Sequence, residues 1–395
     1  MRIWITGMGC ISALGDTVQQ HLDQLLAGRD GLTPIQQLHT RHKGRLMVGE
    51  VPHSNEALRA HLPHLQSDQA QSRTSLLGML AARAAWTQAG APALHTGRTG
   101  VFAGNTVGGM DRTEQFWANP EDGTPAVLHT HPCGDSTQQI ADYLGATGIV
   151  ATLNTACSSA ANAILLGARW LRSGRIDRAL VGGADALTQF TLNGFHSLQI
   201  VDEQATRPFD ETRQGLNLGE GAGFLMLETA AAPERRLAEL VGYANANDAY
   251  HPTASSPRGE GAYRAMKGAL AKAGIAPTDI DYINVHGTGT HNNDVSEGIA
   301  LQRIFGEAVP PFSSTKAYTG HTLGAAGGLE AVFSVLALQA QCVFPNLRFE
   351  QPVQALQPPL YPISAVAKRP IQYVLSNALG FGGNSTSLIF KMAMA

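Results

Sequence analysis

"NTACSSAANAI", residues 154–164, decides how the chain is read, because it sets one cysteine among small residues where the apolar run "GIVATL" (148–153) gives way to a helical pattern. A free cysteine is often no more than a small buried hydrophobe, so Cys157 admits a structural reading. It also admits a chemical one. At a helix N-terminus the unpaired N–H groups and the positive end of the macrodipole face the sulfur, favouring a thiolate and any anion formed on an attached carbonyl. Ala156, Ser158, Ser159 and Ala160 leave room for a substrate, and no charge follows before Arg169. On this reading the thiol is acidic.

Composition narrows the class. The 395 residues are 44% hydrophobic and 15% charged with a net charge of −3, which describes a globular protein with no electrostatic bias toward nucleic acid or anionic membrane. Forty-three glycines with few aromatics suit a layered α/β protein better than a helical bundle. Cys10, Cys133, Cys157 and Cys342 are scattered and are read as reduced, so the expected location is cytoplasmic. "MRIWITGMGCISALG" is read as a first strand and turn instead of a leader, and no run reaches about 18 uninterrupted apolar residues.

Short apolar runs ending in glycine recur as strands: "RIWITGMG", "TGVFAGNTVGG", "GIVATLNTA", "RALVGGAD" and "GAGFLMLE", then "AELVGYANA", "IDYINVHGTGT", "YVLSNALGFGG" and "STSLIFKM". Helical patterns such as "SSAANAILLGARWLRSG" and "EGAYRAMKGALAKAG" lie between them. Alternating β and α is thus written twice. The Ala-, Pro- and charge-rich "ETAAAPERR" (228–236) is the joint, giving an N-terminal half 1–230 and a C-terminal half 231–395. A small-residue helix behind a strand in each half hints at duplication. Residues 38–74, polar and His-rich, are expected to run over the surface.

Three further stretches carry chemistry. "VHGTGT" (285–290) ends a strand with His286 in a Gly/Thr turn; a satisfied structural histidine is the alternative. "SSTKAYTGHTLGAAGG" (313–328) supplies Lys316 and His321, and a buried ammonium needs a carboxylate, for which Glu330 is the candidate. "NALGFGGNS" (377–385) is a glycine-dense loop able to present N–H groups to an oxyanion.

Together these motifs resemble the β-ketoacyl-acyl carrier protein synthases of the decarboxylating, two-histidine kind, in the thiolase-like superfamily. "TACSSA", "HGTGT", "STKAYTGHTLGAAGGLE" and "GFGG" match in order across nearly the whole chain, joined by "RPFDETRQGLNLGEGAG" and "NDAYHPTASSP". The resemblance implies a five-layered αβαβα fold of two pseudo-duplicated halves. It implies acyl transfer from a carrier-protein thioester to Cys157, with the N–H groups of Cys157 and Phe381 as oxyanion hole, then condensation with malonyl-acyl carrier protein. His286 and His321 would donate hydrogen bonds to the enolate, Lys316 and Glu330 would hold the network, and Thr288 and Thr290 would contact the pantetheine arm. Phe381 would gate the acyl pocket, with Asp248 to His251 as a second gating loop, and Gly382, Asp248 and His251 would contact substrate. No cofactor and no metal are implied. The implied partners are an acyl carrier protein and a second subunit, as homodimer or as heterodimer with a chain length factor, with no nucleic acid and no membrane.

Departures lie at Leu379 and Leu216, where Phe is usual, and at Asn384-Ser385, where Thr-Asn is usual. Asp111, Arg112 and Thr113 are more polar than expected for a stretch that in relatives lines the far end of the acyl pocket. If they line it here, Thr113 contacts substrate and the acceptor is a polyene or aryl-primed chain, as in ketosynthases of bacterial pigment pathways; otherwise they face solvent. "HTHPC" (129–133) would put His129, His131 and Cys133 on one face of an extended strand, a metal reading the family does not share. His39, His42, His53, His61 and His64 are expected in solvent. Arg59, Arg73, Arg112 and Lys267 are candidates for docking an acidic carrier protein. A non-catalytic chain length factor is disfavoured by the intact Cys157, His286 and His321. A cysteine hydrolase lacks a carboxylate readable beside either histidine.

Overall fold

The computed structural model describes residues 1–65, 70–90, 98–118 and 125–393. Five strands of the first half, β1 (Trp4–Ser12), β2 (Thr99–Gly104), β3 (Val150–Leu153), β4 (Arg178–Asp185) and β5 (Gly221–Glu228), share a ten-stranded sheet with five of the second. The latter are β6 (Ala238–Asn247), β7 (Tyr282–Asn284), β8 (Phe312–Ser313), β9 (Tyr373–Leu379) and β10 (Asn384–Met392). The order is β8-β7-β9-β10-β6-β1-β5-β4-β2-β3. Read inward from either edge, each half runs third, second, fourth, fifth, first strand. In each, the edge pair and the next pair are parallel and the two inner pairs antiparallel. The duplication hinted at by the sequence is therefore real in topology. The two half-sheets join where Trp4 and Ile5 pair with Glu239 and Ala238.

Strand residues alternate between two buried faces, as a sheet covered on both sides requires. In β5, Leu225 and Leu227 belong to one apolar cluster while Phe224 and Met226 belong to another. Helices α1 (Arg73–Gln88) and α2 (Cys133–Leu144) cover the outer face of the first half; α5 (Glu260–Ala273) and α6 (His291–Phe305) cover that of the second. Between the two half-sheets lie α3 (Ser159–Arg172) and α7 (Ala326–Ala340), which touch each other. Five layers, αβαβα, result, with α4 (Gln189–Ser197) standing outside them near the loops. The stretch Leu323–Ala340 has the length and hydropathy of a membrane span, but 89% of it is buried inside the fold.

Close approach in the middle layer depends on glycine. A Cβ at Gly328 of α7 would collide with the Gly223 carbonyl on β5, and one at Gly223 would collide with the Gly328 backbone. Residues 38–65 and 70–74 depart from the surface excursion expected of them. Leu46, Val48, Val51, Leu58 and Leu62 are buried, because the segment's apolar residues close over α1 and the loops beneath the site; residues 66–69 lie outside the described residues. His42 is buried as well, hydrogen bonded through Nε2 to Asn193 Oδ1 at 3.0 Å, and His53 is half-buried against Asp16. "HTHPC" is no strand: it crosses from a 3-10 turn into the first turn of α2, which ends the shared face. Among the described residues no cluster is placed to hold a metal ion.

Gly328→Ala should lower stability by about 1–3 kcal/mol through overpacking. Gly194→Ala, at a helical position with open space around it, should be neutral or slightly stabilising. Urea denaturation of the two variants checks the contrast.

Candidate active site

The duplicated topology gathers the motif residues at the carboxyl ends of strands. Cys157 follows β3 and Lys316 follows its counterpart β8; His286 follows β7 and Phe381 follows β9. Their loops meet around a cavity of about 240 Å³ whose wall includes Cys157, His286, His321, Thr288, Thr290 and Phe381. Leu216 and Leu379, two of the departures from the family pattern, also stand in this wall.

Cys157 sits on a sharp elbow. Ala156 takes φ +52, a left-handed conformation that a non-glycine residue adopts only under constraint, and Thr155 bridges across it to Cys157. The constraint is a buried polar bracket. Ser159 Oγ accepts from Thr155 N at 2.9 Å, while Ser158 Oγ, with one proton to give, lies 2.8 Å from Thr155 O and 2.9 Å from Asn384 Oδ1. Asn162 and Asn245 donate to the same Asn384 oxygen at 2.9 and 2.7 Å, so Asn384 ties β10 to the start of α3. The backbone N–H groups of Phe381 and Cys157 both reach the sulfur. The acidic thiol expected from the helix N-terminus is not what the site provides. Burial pushes Cys157 up to about 11, and the nearby Lys316 charge and the Phe381 N–H only partly oppose it.

Both imidazoles are neutral, with assignable tautomers. The Lys316 ammonium has three protons and three acceptors: His286 Nδ1 at 3.1 Å, the His286 carbonyl at 2.7 Å, and Glu330 Oε1. An ammonium can only donate, so His286 Nδ1 accepts and its proton is on Nε2. His321 Nδ1 accepts from the Leu323 N–H at 3.1 Å, which again leaves the proton on Nε2. Neither Nε2 has a hydrogen-bond partner among the described residues, and both rings line the cavity, 5.3 Å apart and nearly perpendicular. Desolvation, then the Lys316 charge, holds both well below the usual imidazole value. Burial pushes Glu330 up to about 7 even with Lys316 beside it.

Several supporting groups were not legible in sequence. Glu297 on α6 accepts the N–H groups of His286 and Gly287 at 2.9 Å each, and Asp294, one turn earlier, accepts those of Thr288 and Gly289 at 3.0 and 3.2 Å. The helix after "HGTGT" thus clamps that turn by its backbone, leaving both rings without a carboxylate. Asp185, at the end of β4, accepts from Thr106, Val107 and Gly324 and so bridges the halves. Phe195 of α4 stacks on Phe381, centroids 5.6 Å apart at 13°, and lies edge-on to His321. Only the i, i+3 spacing of acids after a Gly/Thr turn could have flagged Asp294 and Glu297; Phe195 carried no signal.

Other expectations fall elsewhere. Asp248, His251 and Gly382 are outside the cavity wall, which their neighbours Thr253, Ala254 and Phe381 form. Gly382 N donates to Pro252 O at 2.7 Å and Asn247 Nδ2 to Gly382 O at 2.8 Å, while Asp248 accepts from Tyr250 N and Ser256 N, so the two loops are latched together. Thr113 is away from the cavity as well, buried and bonded to His131 Nδ1 at 2.9 Å. Of its neighbours, Asp111 accepts from Arg73 N, while Arg112 is half-buried, its Nε enclosed and its Nη1 donating to the exposed Gln115 at 3.3 Å. Arg73 is itself buried in a two-point pair with Glu220, and cannot dock a partner.

A thiolase-like double fold, with a buried thiol between two backbone donors and two imidazole donors, defines a thiol-dependent acyltransferase of the condensing kind. Residues 1–232 match the description "Beta-ketoacyl synthase, N-terminal domain" and residues 237–350 "Beta-ketoacyl synthase, C-terminal domain". The chain belongs to the β-ketoacyl synthase family. It is 34% identical over 410 residues to a 3-oxoacyl-[acyl-carrier-protein] synthase 2 of Staphylococcus aureus, with 99% of this chain and 98% of that one covered. The corresponding enzyme of Coxiella burnetii is 32% identical over 410 residues, with 99% and 98% covered. Among solved structures, the ishigamide ketosynthase/chain length factor superposes with a TM-score of 0.92 at 32% identity, 99% of each chain covered. A ketosynthase in complex with its chain length factor from Xenorhabdus doucetiae gives 0.88 at 33%, with 99% of this chain and 98% of that one covered.

Because burial disfavours the thiolate, alkylation of Cys157 by iodoacetamide should climb steadily with pH toward about 11. Lys316→Ala, which removes the charge that lowers this value, should slow the reaction at every pH. Peptide mass spectrometry over pH 7 to 10 reads both, and a plateau below pH 8 would contradict the burial argument.

Proposed function

We propose that the chain is a 3-oxoacyl-[acyl-carrier-protein] synthase in which Cys157 is the nucleophile and His286 and His321 promote decarboxylation. The observation that carries this reading is a single cavity holding a thiol and two imidazoles that both offer Nε2–H. In the first half-reaction the Cys157 sulfur attacks the carrier-bound thioester carbonyl. The C–S bond to pantetheine breaks, and the thiol proton leaves on the released pantetheine thiol. The N–H groups of Phe381 and Cys157 hold the oxyanion, and no reorganisation is needed at that moment because the backbone already points there.

In the second half-reaction the malonyl carboxylate departs as carbon dioxide and its electron pair forms an enolate. An enolate oxygen calls for hydrogen-bond donors, and neutral imidazoles supply them without pairing ionically with the carboxylate that must leave. The enolate carbon then bonds to the acyl carbonyl, the C–S bond to Cys157 breaks, and the thiolate takes up a proton. Thr288 and Thr290, in the cavity wall, would contact the pantetheine arm, and Lys316 and Glu330 act as positioning residues.

The partners in this reading are an acyl carrier protein and a second ketosynthase-fold subunit. Likeness to ketosynthases solved with chain length factors, and to a type II acyl-carrier protein complex at 26% identity, supports it. Four unpaired cysteines are consistent with a cytoplasmic location.

Incubation with acyl-carrier protein should add one acyl mass to Cys157, and Cys157→Ala should remain unmodified. His286→Ala and His321→Ala should still load acyl groups but lose about 10²–10³ in carbon dioxide release from malonyl-carrier protein, the scale of losing one oxyanion donor. Loss of loading without loss of decarboxylation would invert the assignment.

A further inference from the structure

The two N–H groups that would hold an oxyanion come from opposite halves of the chain. That of Cys157 belongs to the elbow before α3, and that of Phe381 to the loop 380–383 between β9 and β10. Their spacing makes them a pair, and no continuous stretch of chain sets it. One residue reaches both supports. The Asn384 carbonyl accepts from Gly380 N at 2.7 Å, closing the loop that carries Phe381. Its side-chain oxygen meets the elbow instead: Asn162 Nδ2, at the first turn of α3, lies at 2.9 Å, Ser158 Oγ at 2.9 Å and Asn245 Nδ2 of β6 at 2.7 Å. Two amide donors and a hydroxyl around one atom identify it as the amide oxygen. The elbow side is itself braced, since Asn162 Nδ2 also donates to Thr155 Oγ1 at 2.9 Å and Asn162 Oδ1 accepts from Thr386 Oγ1 at 2.8 Å. Loop and elbow also touch backbone to backbone: a Cβ at Gly380 would stand 2.7 Å from the Thr155 carbonyl and 3.2 Å from Cys157 N. Asn384 itself stands outside the cavity wall.

We propose that Asn384 is a positioning residue for acyl transfer: its backbone carbonyl holds the Phe381 loop, its side-chain oxygen holds the Cys157 elbow, and together they fix the spacing of the two oxyanion donors. The proposal rests on the thiol-acylation reading given above. Preorganised donors stabilise charge only where that charge develops, and a displacement of about 1 Å costs up to about 10²-fold in rate. Asn384 acts through the elbow and the loop without lining the cavity, so it governs stabilisation of the oxyanion and not the supply of thiolate.

Two reactions of the same thiol test this in the full chain. Acylation by a hexanoyl-pantetheine thioester forms the S–C bond through a tetrahedral oxyanion, after which the pantetheine thiolate leaves and takes the proton. Alkylation by iodoacetamide forms an S–C bond as the C–I bond breaks; iodide leaves, the thiol proton passes to water, and no oxyanion forms. Both draw on one thiolate, so the ratio of their rates cancels the thiolate fraction and reports the oxyanion hole. In Asn384→Ala this ratio, read by mass spectrometry under single turnover, should fall about tenfold or more. In Asn384→Asp, which keeps an acceptor in the same place, it should stay within about threefold of the wild type. Asn162→Ala, which removes a donor on the elbow side, should lower it about threefold or more, and supplies the readout should Asn384→Ala not fold. An unchanged ratio in Asn384→Ala, including one in which both reactions slow in proportion, would overturn the proposal. So would an equal fall in Asn384→Asp, because the acceptor oxygen would then not be the agent. Failure of the wild type to take an acyl group from this thioester or from an acyl-carrier protein would instead overturn the thiol-acylation reading itself.

Discussion

A buried ammonium organises the site. Lys316 spends each of its three protons, two on His286 and one on Glu330, and is 2% exposed. Burying this pair costs several kcal/mol per ion, which the pair recovers only through close geometry, so it is weak evidence for stability and strong evidence for a specific arrangement. What it secures is the tautomer of His286. Replacing the ammonium by a neutral group would free Nδ1 and let the ring turn or take the other proton. Burial is the larger influence on all three groups, raising the Cys157 thiol and lowering both imidazoles; the same ammonium partly offsets it at Cys157 and adds to it at His286 and His321.

The fold explains how groups so far apart in sequence meet. Each half repeats the strand order third, second, fourth, fifth, first, and places the carboxyl ends of its parallel strands toward the other half. One copy supplies the nucleophile after its third strand; the other supplies the ammonium after its own third strand and an imidazole after its second. Asp185 and Asn384 cross between the halves and hold the loops in register. The cavity is therefore a property of the duplication, with chemistry divided between the copies.

Much of this was legible in sequence, for particular reasons. The strands were marked by apolar runs bounded by glycine, and Gly223 near the start of β5, with Gly328 of α7, permits the helix-to-sheet contact. Lys316 demanded a carboxylate, and Glu330 is that carboxylate. What was misread were environments. The helix N-terminus at Cys157 suggested an acidic thiol, but complete burial outweighs it. His42 was expected in solvent, and Asp111 and Thr113 either in the acyl pocket or in solvent, yet each has a partner distant in sequence, which no local pattern records. Glu297 and Asp294 escaped notice for a related reason: they act on backbone N–H groups of the "HGTGT" turn, and backbone has no letter in the sequence.

The central claim is that both histidines are neutral and carry their protons on Nε2 toward the cavity. Nitrogen-15 NMR of histidine-labelled enzyme reads this directly. The account predicts that the signals of His286 and His321 show unprotonated Nδ1 and protonated Nε2 throughout pH 6 to 8, and that Lys316→Ala disturbs the pattern at His286 while sparing His321. An imidazolium at either position in that range, or a proton on Nδ1 of His286 in the unaltered protein, would contradict it.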